Sequence, residues 1–280
     1  MIYSYLSLFI SIFVVGVFSI ASYSDIQSRE VPDFLSYLLL AGGLLLNLSL
    51  SIATGSISNL IFMPLSILLL FGFAYTMYYF GQWGGGDVKL MLGLSVVFTS
   101  FSLYSNFSFF GLFINMLIFG GLYGLFGTII FGLLKFRHFK KLLHYYDILL
   151  VIVGTVGMVF FFSYFPSPIN YLAMFATLLL VSMRYIYLIA ENLMYMEVPI
   201  NKLTEGDWLA DDVKKDNVIV VKRRNTGLDL GDIKKLKESK VNRVLVKIGL
   251  PFVPGLLLGV IVTLVLGNPL LQILSSSVIF

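Results

Sequence analysis

The chain has 280 residues, is 58% hydrophobic and only 12% charged, and carries a formal net charge of +4 with a mean hydropathy of +0.93. Such usage excludes an average soluble domain and implies a polytopic membrane protein. With no cysteine, disulfides, thiolate nucleophiles and Cys-based zinc sites are excluded, and neither a metal nor a cofactor is expected.

Apolar runs near the length of about 20 residues that crosses a hydrocarbon core fall at 2–24, 34–52, 59–80, 88–104, 107–134, 148–165, 169–190 and 249–273. They predict an all-α polytopic membrane protein of about eight transmembrane helices with a small cytoplasmic α+β insert. The first run has neither a basic n-region nor a small-residue cleavage site, so it is expected to be a retained span. The stretch "SYSDIQSREVPDF" closes it and places Asp25 at a helix C-terminus, where the helix dipole disfavours an anion. Asp33 follows Pro32 at the start of the second run, and Asp147 precedes the sixth; both read as carboxylates favourably placed at helix N-termini.

The fourth run opens with "GQWGGGDVKL", which sets Gly84, Gly85, Gly86, Asp87 and Lys89 between two apolar segments. Asp87 reads either as a cap of its own helix or as a functional carboxylate. The glycines favour the second reading, since they permit unusual backbone angles and close approach of another segment. Trp83, beside them, is expected at the membrane interface as an anchor. His138 and His144 sit in the basic loop around "KFRHFKK" as solvated side chains. Arg184 lies near the inner end of its span, within snorkelling reach.

Residues 191–247 hold more than half of the chain's charged residues and form a polar insert between 1–190 and the C-terminal helix region 248–280. "NVIVVKRR", "DLGDIKKLKES" and "KVNRVLVKI" read as strand, helix, strand. Its basic "KRRN" at 222–225 reads as a solvated or headgroup-facing surface.

Orientation follows from the 19 lysines and arginines. With the N-terminus outside, all of them lie at or inside the inner face of the plasma membrane, as cytoplasmic loops require. Two crossings separate Asp25 from Asp87, so both emerge on the cytoplasmic side with the insert. Two carboxylates that meet there cannot both ionise easily. They share a proton, and the pair can activate water and polarise a peptide carbonyl. Arg29 and Lys89, four and two residues from the two aspartates, are candidates for tuning one carboxylate or touching substrate; ordinary positive-inside placement explains them equally well.

Four stretches in order, Asp25 with "REVPD", Gly84, Gly86 and Asp87 in "GGGDVKL", "VPINKLTEGDWLADDV" at 198–213 and "KIGLPFVPGLLLG" at 247–259, resemble the GxGD aspartyl membrane proteases of the prepilin and preflagellin (archaellin) peptidase family, archaeal branch. The resemblance implies that Asp25 and Asp87 are the catalytic pair of an aspartic endopeptidase. It also implies that the substrates are type IV pilin-like or archaellin precursors, cut behind a short basic leader at the cytoplasmic face. Glu30 and Asp33, with Glu205, Asp207, Asp211, Asp212 and Asp216, would then supply acidic partners to the leader. The chain departs from the family in Pro32-Asp33, where Pro-Asn is usual, and in having two spans more than the smaller archaeal members. Lacking the Cys-x-x-Cys domain of bifunctional relatives, it is not expected to transfer methyl groups. Besides precursor and lipid no partner is implied, and none of nucleic-acid type. A presenilin-like intramembrane protease, a proton- or cation-coupled transporter relaying ions through the paired carboxylates, and a non-catalytic assembly protein stay open as alternatives.

Overall fold

A computed structural model describes residues 2–104, 109–135, 145–164, 194–215, 218–239, 241–247 and 249–268, with positions 170, 171, 174 and 189 between them. The protein is mostly helical. In chain order run α1 (Ile2–Ser28), α2 (Asp33–Thr54), α3 (Ser58–Tyr79), α4 (Gly85–Tyr104), α5 (Phe109–Leu134) and α6 (Tyr145–Phe162). Then come β1 (Tyr195–Pro199), a 3-10 turn (Ile200–Lys202), β2 (Trp208–Leu209), β3 (Val213–Lys215), β4 (Val218–Val221), α7 (Leu230–Glu238), β5 (Arg243–Lys247) and α8 (Val253–Leu266).

Among the described residues, four helices are long and apolar enough to cross a membrane: Tyr5–Ser28, Asp33–Thr54, Ser58–Tyr79 and Phe110–Leu134. The chain is thus a multi-pass membrane protein. Val151–Phe162 and Val253–Leu266 are shorter apolar helices. The expected span at 169–190 falls almost wholly outside the described residues, as do the side chains of His138, His144, Asp147, Arg184 and Asp216. Outward faces of α1–α3 carry Phe9, Ile12, Leu45 and Leu68 exposed, the pattern of surfaces that meet lipid.

The chain divides into two compact units. One comprises residues 1–124 with 196–272, and the other 125–195 with 273–280. In the second, Gly132 leaves room for Ile189, whose Cδ1 would lie 2.5 Å from any added Cβ.

In the first unit, α2 and α4 pack at backbone distance. A Cβ on Gly93 would meet Leu39 Cβ at 2.6 Å and Ser36 O at 3.0 Å, and one on Gly43 would meet Val97 N at 2.7 Å. Apolar helices gain little from burying apolar surface out of lipid, so close van der Waals packing through small residues holds them together. Buried Asn47 reinforces the pair by donating to Val96 O across the interface at 2.9 Å and to Gly43 O at 2.8 Å. Helix α8 approaches α5 in the same way, with Gly259 over Met116 and Gly255 over Gly120. Asn115 of α5 donates to Thr263 Oγ1 at 3.0 Å. Phe18, Leu39, Leu94, Phe98 and Leu256 fill the bundle interior.

The insert packs as a soluble domain does. Strand order is β1-β5-β2 in one sheet, with β3 and β4 in a separate antiparallel hairpin. Trp208 pairs with Lys247 and Leu209 with Val246. Alternation along β5 turns Val244 and Val246 into a core shared with Leu209, Ile233 and Leu236. Asp229 and Asp232 cap α7 reciprocally, each side chain accepting the other's backbone N–H.

Candidate active site

Helix α1 ends where the Arg29 N–H donates to Asp25 O at 2.9 Å. Arg29 takes a left-handed conformation, φ 59°, unusual for a residue with a side chain. The turn sends Val31 back against α4. There a Cβ on Gly86 would stand 2.9 Å from Val31 Cβ, so this position needs glycine for close approach. Gly84 and Gly85 have room for a side chain, and none of the three adopts positive φ. The left-handed residue nearby is Gly81, φ 67°, where a Cβ would meet Asn225 O of the insert at 2.9 Å.

Asp87 sits in the first turn of α4, 9% exposed, and its Oδ2 accepts the Gly84 N–H at 2.9 Å. It does cap its own helix. The cap engages one oxygen, Oδ2, so the two readings of Asp87 are compatible. Asp25 is 7% exposed, and its Oδ2 accepts the Val253 N–H at 2.9 Å from the first turn of α8. The two carboxylates are near enough for the charge of one to act on the other.

Both open into a cavity of about 790 Å³. Its membrane-side wall is Arg29 to Asp33, Tyr78, Gly84 to Asp87 and Lys89; its other wall comes from the insert, Thr204 to Trp208 together with Arg224 and Thr226 to Asp229. Tyr78 Oη donates to Thr226 O at 3.4 Å across this boundary. Glu30, Glu205 and Asp207 therefore face the cavity that holds Asp25 and Asp87, whereas Asp211 and Asp212 do not line it. Asp212 instead accepts the Arg223 N–H at 2.7 Å. Burial pushes the Asp207 carboxyl above the usual carboxylate range; hydrogen bonds from Thr204 oppose this and the charge of Glu30 adds to it.

Not every expected placement holds, though Asp33 keeps its place in the first turn of α2 and has a partner besides. It pairs with Lys89 at 2.6 Å, the two side chains about half exposed, so Lys89 is engaged with Asp33. An exposed pair of this kind adds about 0–1 kcal/mol. Trp83 is 8% exposed and stands inside the bundle, its ring 5.0 Å from Phe252 and 5.7 Å from Phe73, not at an interface with lipid. No local signal near Asp25 announces Val253, Thr226 or Arg224 as neighbours of the site. Among the described residues no group of His, Cys, Asp and Glu is arranged to hold a metal ion.

Residues 12–133, which include both aspartates and the glycine run, match the type IV leader peptidase family. Over that stretch, somewhat under half of its length, the chain is similar to the type IV leader peptidases. A preflagellin peptidase of Methanococcus voltae is 34% identical to it over 89 residues, 31% of this chain and 38% of the relative. The similarity thus spans well under half of that protein's length. No solved structure matches this one. The family match ends before the insert, which lines the cavity, and before α8, whose Val253 N–H meets Asp25.

Proposed function

We propose that the protein is a membrane aspartic endopeptidase that removes short basic leaders from type IV pilin-like or archaellin precursors at the cytoplasmic face. The carrying observation is the pair of buried carboxylates, Asp25 and Asp87, opening into one cavity under a polar insert. Held close, they share one proton. The ionised member takes a proton from water, whose oxygen attacks the scissile carbonyl carbon while the protonated member hydrogen-bonds the carbonyl oxygen. The resulting tetrahedral species expels the amine as the C–N bond breaks and nitrogen takes up a proton. Two backbone amides pin the carboxylates, which lowers the reorganisation needed at each turnover.

The insert is read as part of the substrate site. Glu30, Glu205 and Asp207 line the cavity and make no ion pair among the described residues, while of its cations Lys89 and Arg224 are engaged with Asp33 and with Asp229 and Asp232, leaving Arg29 beside Asp25. An extended polar segment bearing lysine or arginine meets complementary charge here. Such charge mainly sets encounter and register. Transport through paired carboxylates is less well supported: both aspartates lie at helix ends beside the polar insert and not midway along a span.

The test is co-expression with a basic-leader precursor, reading its size. Asp25→Asn and Asp87→Asn should each cut the rate by about 10²–10⁴-fold, the usual contribution of general acid–base catalysis, with the protein still inserted and accumulated. Full activity in either variant sinks the dyad. A reporter fused after residue 215 should read inside; exposure outside would remove the cytoplasmic assignment.

A further inference from the structure

Helix α8 begins at Val253, between Pro251 and Pro254. The first N–H groups of any helix have no partner within it. Here Pro254 has no N–H, and Gly255 and Leu256 donate to Phe252 O at 2.9 and 3.3 Å. That leaves the Val253 N–H pointing outward from the first turn. Its acceptor is Asp25 Oδ2 at 2.9 Å, 228 residues earlier in the chain and buried. The contact is tightly framed. Phe252 packs on Trp83 with ring centroids 5.0 Å apart and fits over Gly120, where a Cβ would meet it at 3.2 Å. Val253 is itself fully buried. Asp25 thus sits against the positive end of a helix other than its own, which offsets the unfavourable dipole at the end of α1.

We propose that the first turn of α8 is a positioning element of the aspartyl pair, with the Val253 amide fixing Asp25 for catalysis; this rests on the peptidase reading above. Asp87 is held by the start of its own helix and Asp25 by the start of one far along the chain, so the relative placement of the carboxylates depends on α8 staying docked on α1 and α5. Its place at the start of α8 is what leaves that amide free, and Pro254 beside it offers no competing N–H.

The Val253 amide is replaced by an ester, with α-hydroxyisovalerate introduced at position 253 of the full chain. This keeps the side chain and removes only the N–H. Val253→Ala does the reverse. The ester variant should lose at least about ten-fold in kcat with little change in KM, since small misplacements of reacting groups cost up to about 100-fold. Val253→Ala, which trims a buried side chain but keeps the N–H, should lose clearly less in kcat than the ester. Equal kcat for ester and wild type overturns the proposal, and so does a loss in Val253→Ala as large as in the ester, which would mean that packing alone matters. An arm independent of activity uses protein labelled with ¹⁵N-valine. The Val253 amide resonance, assigned by its disappearance in Val253→Ala, should move in Asp25→Ala and much less in Asp87→Ala. An unmoved resonance refutes the contact. Failure of the wild-type chain to cut any precursor sinks the peptidase reading, whereas cleavage that needs both aspartates but ignores the ester sinks this inference alone.

Discussion

The helix bundle and the insert solve the packing problem by opposite means. In the bundle, Gly43, Gly93 and Gly259 bring backbones to contact distance, and Asn47 and Asn115 hydrogen-bond between helices. In the insert, leucine, isoleucine and valine fill a core while a capping box and an arginine hold its helix. The difference follows from solvent. Water drives apolar side chains together around Leu236, but lipid gives α2 and α4 no such drive, and what remains is fit. The cavity lies where the two regimes meet, so each half of its wall should fail in its own way.

The strongest break should come at α2–α4. Gly93→Leu has no flexible neighbour to displace, because Leu39 Cβ and the Ser36 carbonyl stand directly in its path. Forcing α4 away from α2 shifts Asp87 relative to Asp25. A displacement near 1 Å costs about 100-fold in rate, and precursor cleavage in membranes should fall by at least that much. Gly84→Ala, where a Cβ finds ordinary contact distances, is the comparison; equal losses at the two positions would deny that close helix approach is what matters.

A change in the insert should be milder for the chemistry and plainer for stability. Leu236 is fully buried. Leu236→Ala should destabilise the insert by about 2–5 kcal/mol, seen as faster hydrogen exchange in β5 and α7 of the full chain, with α1–α4 unchanged. If exchange rises equally in the bundle, the two regions are not packed independently.

The smallest effect concerns acid. Hydrogen bonding from the Asp232 N–H, and then from Arg224, holds the Asp229 carboxyl below its ordinary value. A depressed carboxyl contributes stability above the unfolded value of 3.8, and that contribution disappears as pH falls through the folded value. Protection of α7 amides should therefore weaken in acid below about pH 4, and Asp229→Asn should flatten that dependence while lowering protection at neutral pH. An unchanged acid profile in Asp229→Asn would remove this carboxylate as its source.

Legibility in the sequence tracked the range of the interactions. Asp25 and Asp87 stand out because ionisable groups are rare among these apolar runs, and the helix at 230–238 is announced by its own caps and spacing. The strand, helix and strand read over 217–248 correspond to β4, α7 and β5. Two-residue β2 carries no period to read, and β1 ends in Pro199; both depend on β5 for their sheet. Trp83 resembled an interface anchor because local sequence cannot report that Phe252 packs on it. The place of Asp33 in the first turn of its helix was legible, while its pairing with Lys89, 56 residues on, was not. The unfavourable position of Asp25 was legible, while its remedy, 228 residues away, was not.

That separation also sets an order of events during synthesis. A ribosome that has completed residue 90 has already made both aspartates, yet the amide that meets Asp25 belongs to residue 253. Through most of translation the nascent chain therefore carries both acids without this contact, and the site gains that constraint only when α8 has been made and docks.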